Sequence, residues 1–347
     1  TLEGTFPPLV QALDQTSPKP VVITMEGERI HARLDGTITD PVNGEGMDFK
    51  LELQVPEMHE LLEIFADGIP AVGELQATAQ LQGDYAVPRL VDIDATMQRE
   101  QEVKVTLTGS VDDILTGAGM NLHLVGQSSH PSVTSWMLFK RLDMVESLGF
   151  DGVIQEKNGN FYLQELEASA KSSGGLSVTA SGAGELYDDG HVFSASDDGI
   201  SLKVTAPTTA ALNIMDMDDI PELGAISGGL KLMVSQDAVA LYGVDVNIGS
   251  SKTTVAHLKG QVGEIPLHQA AGITGIDLQA RVESADVAAL VKKFGYTLQQ
   301  PGPGHADTRI SGEQGNIRLG KTTISIGRKD DLLIAAKGKA DSIVFNE

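Results

Sequence analysis

The chain has 347 residues, of which 41% are hydrophobic and 21% charged, a composition that allows a large buried core. Asp and Glu outnumber Lys and Arg by 48 to 25, which gives a formal net charge of −23. A field of this sign repels nucleic acid backbones and anionic lipid headgroups, so neither is an expected partner. Cysteine is absent, which suits a cell-envelope protein and a cytosolic protein equally.

The first clear elements in chain order are a strand and a short helix. Apolar and polar residues alternate over residues 48–55, the period-two pattern of a half-buried strand. Met58, Leu61, Leu62 and Phe65 follow at the spacing of one helical face. A Gly-Ile-Pro break then ends the predicted helix.

Three more strands are predicted over residues 75–81, 90–97 and 103–107, joined by short connections that favour hairpins. The same order recurs along the chain, and the predicted helix recurs with it. Its apolar positions in the later copies are Trp136 and Met137, then Ala211, Leu212 and Met215, and finally Val287, Leu290, Val291 and Phe294. This order favours a curled antiparallel sheet over a parallel sheet with crossover helices.

A glycine that follows each predicted strand end marks the repeat. The five glycines are separated by 73, 73, 78 and 78 residues, and they are Gly36, Gly109, Gly182, Gly260 and Gly338. A constant period predicts one supersecondary unit used repeatedly. We therefore divide the chain into a partial repeat (1–46) and four repeats (47–118, 119–198, 199–274 and 275–347), cut from a longer protein.

Several motifs that resemble catalytic or binding sequences have simpler interpretations. Residues 315–322 match the Walker A expression, but the alternation that follows predicts a hairpin in place of the required helix. Asp92 and Asp94 resemble a phosphatase motif, yet too few apolar residues precede them. The acids Asp216 and Asp218 lack the glycine of an EF-hand loop. We predict that the chain is not an enzyme and takes no nucleotide, metal or cofactor.

The order of elements resembles the repeating β-groove of the AsmA-like superfamily. The resemblance rests on residues 34–41, Leu-Asp-Gly-Thr-Ile-Thr-Asp-Pro, and on residues 44–49, Gly-Glu-Gly-Met-Asp-Phe, with the strands and the helix that follow. It covers essentially the whole chain, although repeat 2 departs from the pattern. It implies an elongated, curled antiparallel sheet with an apolar interior, in the periplasm of a Gram-negative cell. It also implies an inner-membrane anchor outside this segment and an outer-membrane partner.

The resemblance therefore implies a conduit for phospholipid between the inner and outer membranes. Acyl chains would lie on the apolar strand faces, and the residues expected to line the groove are Phe49, Leu51, Leu53, Val55, Leu107, Leu202, Val204, Leu232, Val246, Leu278 and Ile326. The alternative is a structural or adhesive β-repeat protein whose core is closed and holds no lipid. The residues themselves leave both hypotheses open.

Overall fold

The computed structural model describes residues 1–6, 17–62, 70–137, 145–186, 194–195, 199–211, 221–234, 238–249, 254–266, 272–299, 302–328 and 333–343. Most of these residues lie in strands and few in helices, so the predicted mostly β, antiparallel class is confirmed. The chain divides into two units, Thr1–Ala168 and Ser169–Glu347. The division falls inside a strand and inside the segment that the sequence analysis assigns to repeat 2.

The described part of the first unit consists of strands with two short helices. The helices are α1 (Met58–Leu62) and α2 (Pro131–Met137). The strands are β1 (Leu2–Thr5), β2 (Lys19–Glu26), β3 (His31–Asp40), β4 (Glu45–Val55), β5 (Glu74–Asp84), β6 (Val87–Arg99), β7 (Val103–Val111), β8 (Asn121–Ser128), β9 (Val145–Lys157) and β10 (Asn160–Ser172), which reaches into the second unit.

The second unit has the same character over its described residues. It contains one helix, α3 (Val287–Lys292), and a 3₁₀ turn at residues 209–211. The strands are β11 (Ser177–Leu186), β12 (Ser194–Ala195), β13 (Ile200–Ala206), β14 (Ile226–Val234), β15 (Ala238–Gly249), β16 (Thr254–Pro266), β17 (Ile276–Ser284), β18 (Gly304–Glu313), β19 (Asn316–Gly327) and β20 (Leu333–Ile343).

Within each unit, nearly every strand pairs antiparallel with the strand that precedes it. In the first unit the pairing runs in chain order from β1 to β9, and in the second it runs from β11 past the short β12 to β13 and on to β20. Helices α1 and α2 follow β4 and β8, which run in the same direction, so both lie at one edge of their sheet. The 3₁₀ turn and α3 follow β13 and β17 in the same way. We call this side of each sheet the helix edge and the opposite side the hairpin edge.

Buried residues concentrate along these two edges. At the hairpin edge of the first unit, Val21, Ile38, Met47 and Phe49 form a buried cluster. At its helix edge, a second cluster joins Val72, Val103 and Val133, with Met58 and Met97 packed against it. The helix edge of the second unit has the cluster Leu176, Ala206, Ala211 and Ile226. The short helical segments therefore close the ends of the strands against water.

Helix α3 shows how such a segment begins and ends. The Asp286 carboxylate accepts hydrogen bonds from the backbone N–H groups of Ala288 and Ala289, at 2.9 and 3.3 Å, and so caps the first turn. Val287 is buried, but the helix ends at Lys292. The prediction that Phe294 extends the apolar helical face is wrong, because this side chain follows the helix and is 52% exposed. Phe65, Leu212 and Met215 lie outside the described residues.

The prediction that each of the five recurring glycines follows the end of a strand is wrong. Gly36 lies in the middle of β3, and Gly109, Gly182, Gly260 and Gly338 likewise lie inside strands. The first four approach the next strand so closely that a Cβ atom would collide with its backbone. Gly36 lies opposite Phe49, and the backbone of Asp48 and Phe49 occupies the space that a Cβ at position 36 would need.

We predict that Gly36→Val destabilises the first unit and that Gly338→Val does not. The new side chain at position 36 would displace β4, and overpacking of this kind typically costs about 1–3 kcal/mol. At Gly338 no atom lies within 4 Å of the added Cβ. Thermal and urea unfolding of the two variants measure the difference, and equal midpoints would contradict the explanation given for the glycines.

Candidate functional site: a half-exposed apolar strip

The register of the first unit places its apolar side chains in continuous rows on one sheet face. Leu53 of β4 pairs with Ala77 of β5, which pairs with Ala95 of β6. Ala95 in turn pairs with Leu107 of β7, and Leu107 with Leu124 of β8. Because paired residues point to the same side of a sheet, this row crosses five strands without a polar side chain. The alternating sequence of each strand and the antiparallel register together produce the row.

Burial varies along each strand in a consistent way. In β4 the apolar residues of the half nearer the hairpin edge, Met47 and Phe49, are buried, and so is Val55 at the helix edge, whereas Leu51 and Leu53 between them are half-buried. In β7 the end residues Val103 and Val111 are buried, and Val105 and Leu107 between them are half-buried. The first unit therefore has an accessible apolar strip between two buried margins.

The second unit repeats this arrangement. Ile200 and Ala206 at the ends of β13 are buried, while Leu202 and Val204 between them are half-buried. One row runs from Val204 through Gly228, Val246 and Leu258 to Ala280. A parallel row joins Leu278, Ile310 and Leu319. We use the name apolar strip for the half-buried apolar residues of these rows in each unit.

The residues predicted to line a groove fall on this face in both units. Nine of the eleven are half-buried, and they are Leu51, Leu53, Leu107, Leu202, Val204, Leu232, Val246, Leu278 and Ile326. The other two, Phe49 and Val55, belong to the buried margins and offer almost no surface to a ligand. Sequence alternation identifies the face but cannot separate the centre of a strand from its packed ends.

Sequence reasoning missed a polar interruption in the strip of the second unit. Thr308 lies opposite Ala280, and its hydroxyl is 2.7 Å from the hydroxyl of Thr322 on the next strand. The Thr322 hydroxyl also donates to the carbonyl of Gly320 at 3.2 Å. The two hydroxyls satisfy each other, which lowers the cost of placing them on an apolar surface. The sequence does contain a signal for this interruption, because Thr308 stands at an alternate position of β18 between Ala306 and Ile310.

The opposite face is polar, solvated and internally paired. A cavity of about 620 Å³ opens on it in the first unit, lined mostly by polar side chains that include Glu26, Arg33, Glu52 and Asp94. Lys50 lies 2.6 Å from Glu52, and hydrogen bonding from Lys50 lowers the pKa of that carboxyl. Some of these exposed charges form ion pairs, so the face has the character of an ordinary solvated sheet surface.

On the same face of the second unit, Arg309 holds Asp277 through two 2.6 Å hydrogen bonds, and this contact lowers the pKa of the Asp277 carboxyl. The bidentate geometry is the strong form of a guanidinium–carboxylate pair. Both side chains remain accessible to water. The pair is therefore a surface ion pair that joins β17 to β18.

The motifs that resemble catalytic sequences lie in ordinary sheet structure. Residues 315–322 form the turn and the first part of β19 in an antiparallel hairpin, as predicted. Asp92 and Asp94 are exposed on β6, and Asp216 and Asp218 are outside the described residues. Among the residues that the structure describes, no group of three or more His, Asp or Glu could hold a metal ion. The described helices are all too short or too polar to cross a membrane.

Comparison of the chain with protein-family models, with curated proteins and with solved structures finds no match in any of the three. The geometry of the apolar strip is therefore the basis for a functional proposal.

We predict that Leu53→Cys reacts rapidly with a maleimide in the folded protein and that Val55→Cys reacts slowly. The two positions share one face of one strand, but Leu53 is half-buried and Val55 has no exposed surface. Labelling at Val55 needs local opening, which we expect to slow it on the order of tenfold or more. The natural chain has no cysteine, so mass spectrometry of single-cysteine variants reports each site directly. Equal rates would contradict the division into strip and margin.

We predict that the thermal midpoint falls as the pH is lowered from about 5 to about 3. The pKa values of Glu52, Asp245 and Asp277 are lowered in the folded protein by hydrogen bonds and nearby cations. A folded pKa below the unfolded one gives stability above the unfolded pKa, and this stability is lost as the pH falls through the folded value. Asp277→Asn should make the decline shallower. Asp94→Asn, at a carboxylate without an ion-pair partner among the described residues, is the control.

Proposed function

We propose that the chain is a non-enzymatic conduit whose apolar strip carries the acyl chains of phospholipids. The observation that supports this most directly is the row of half-buried aliphatic side chains that crosses successive strands between two buried margins. In a sheet whose core is complete, the centre of each strand is its most buried part. In β7 and β13 the central apolar residues are instead more accessible than those at the two ends. An apolar ligand lying along the strip would complete the burial.

The dimensions of the strip suit an extended hydrocarbon chain. Two apolar positions on one face of a strand span about 7 Å along it, and successive strands add about 4.8 Å each across it. A chain that lies across the strands contacts one or two side chains on every strand. Each Å² of apolar surface removed from water contributes about 25 cal/mol, without any need for a specific polar contact. This is the binding mode that permits sliding.

We further propose that one repeat consists of four strands and one helical segment, within an elongated, curled β-groove of about 75 residues per repeat. The support is the recurrence of helical segments after β4, β8, β13 and β17. In each unit these segments lie at one edge, where their residues pack into the buried margin. On this proposal the helices form a rim of the groove and do not fill it.

The resemblance to the AsmA-like superfamily supplies the cellular setting of the proposal. On this proposal the chain works in the periplasm, tethered to the inner membrane by a segment outside this sequence, with a partner at the outer membrane. The acidic surface is compatible with this role, because the ligand is held through its hydrocarbon portion and its headgroup stays in water. No cofactor or nucleotide enters the proposal.

The alternative is a structural or adhesive β-repeat protein with a closed core. The observation that favours it is the fully buried margin, where Val55, Val72 and Val103 are at most 2% exposed. Photo-crosslinking residues at Leu51 and Leu107 separate the two proposals. Capture of lipid supports the conduit, whereas capture of protein alone supports the closed core.

We predict that Leu53→Glu abolishes co-purification of phospholipid and blocks transport, while the protein still folds and is expressed. A carboxylate on the strip would meet hydrocarbon in place of water, which is strongly unfavourable. Thr78→Glu adds the same charge on the polar face of the adjacent strand and is the matched control. Native mass spectrometry and lipid extraction measure the bound lipid. Absence of phospholipid from the unsubstituted protein would refute the conduit.

A further inference from the structure

A second feature of the first unit lies at its hairpin edge and is separate from the strip. Five large apolar side chains on or directly beside three neighbouring connections are between 41% and 67% exposed. We call them the apolar lip, and they are Val42, Tyr85, Val87, Ile114 and Leu115. Exposed apolar residues are common singly, but a group on adjacent loops marks an interaction site.

Backbone contacts join the three connections into one surface. The N–H of Tyr85 donates to the carbonyl of Gly44 at 3.0 Å, and the tyrosine ring covers that glycine so closely that a Cβ there would clash with it. The N–H of Ile114 donates to the carbonyl of Pro88 at 2.9 Å. These bonds link the turn after β3 to the turn after β5, and the start of β6 to the loop after β7. The connections that carry the lip are therefore adjacent.

Carboxylates fix the loops that carry the lip. Asp40 accepts hydrogen bonds from the backbone N–H groups of Val42 and Asn43, at 2.9 and 3.2 Å. Asp113 accepts from the N–H of Leu115 at 2.9 Å and from the hydroxyl of Thr116 at 2.7 Å. The pKa of the Asp40 carboxyl is lowered chiefly by a hydrogen bond from the Asn43 side-chain amide, and that of the Asp113 carboxyl chiefly by the Thr116 hydroxyl. A preorganised loop loses little conformational freedom when a partner binds, which favours affinity.

Acidic side chains border the lip. Glu45, Asp84 and Asp112 are exposed beside it, and Asp113 lies within it. The N–H of Gly46 donates to Asp84 at 2.9 Å, which holds that carboxylate next to the turn after β3. An apolar centre with a charged border is the usual composition of a protein interface. The sign of the border selects a partner of opposite charge.

We propose that the apolar lip docks a protein segment that presents aliphatic anchor residues flanked by Lys or Arg. The apolar anchors would bury the exposed side chains of the lip, and the flanking cations would pair with its carboxylates. A lipid bilayer fits less well, because the acids at the loop tips would be pressed into the headgroup layer. The inference does not depend on the apolar strip, since the lip lies outside the rows of half-buried residues.

The test uses the whole chain and two defined peptides. One is an amphipathic helical peptide with a leucine face and a lysine face, and the other carries glutamate in place of lysine. We expect the lysine peptide to bind and the glutamate peptide not to bind. The double substitution Tyr85→Ser and Leu115→Ser should weaken binding of the lysine peptide by about tenfold or more, as removal of interface anchors does. Tyr296→Ser, at a site 70% exposed in the second unit, should leave binding unchanged.

These substitutions are neutral, so non-specific attraction of the lysine peptide to the acidic chain is the same in every variant. Unchanged thermal midpoints would show that the exposed sites tolerate serine. Equal affinity of the double variant and the unsubstituted chain, or no binding of the lysine peptide, would overturn the proposal. Lip-dependent binding to vesicles of zwitterionic phosphatidylcholine would overturn it in favour of a bilayer. Lip-dependent self-association in sedimentation would overturn it in favour of a second copy.

Discussion

The constraint on which the rest of the structure depends is the coupling of period-two alternation to antiparallel register. Each strand turns its apolar residues to one side, and pairing with the next strand keeps them there, as in the row from Leu53 to Leu124. A slip of one residue would move every such side chain to the wet face. The sheet of each unit therefore has one apolar side, which must be covered by protein or by a ligand.

Packing at the two edges covers part of this side and leaves the apolar strip half-exposed. Helices α1 and α2 bring Met58 and Val133 over the helix edge of the first unit, and Ile38 and Met47 pack at the hairpin edge. These margins supply the buried area that a single layer of strands otherwise lacks. The half-buried centre is then free for a ligand. Stability and proposed function thus occupy different parts of the same strands.

On the proposals above, the polar face, the apolar strip and the hairpin edge have different roles. The polar face exposes charged side chains to water, and some of them form ion pairs, as Arg309 does with Asp277. The apolar strip offers a surface without directional contacts, which suits a ligand that moves. The apolar lip combines exposed apolar side chains with carboxylates held in place by hydrogen bonds, which suits a protein partner bound at a fixed position. These are different physical requirements, and each is met by a different set of residues.

The sequence by itself determined the antiparallel β class and the apolar face, because the alternation of apolar and polar residues is a local pattern that can be read within each strand. It also located the hairpin at residues 315–322. Only the tertiary structure decided that the five glycines lie inside strands, since their role depends on the approach of a neighbour such as Phe49. The same holds for the burial of Val55 beside the accessible Leu53, and for the lip. Burial at a strand end and contact between loops depend on packing across the sheet, which no local pattern encodes.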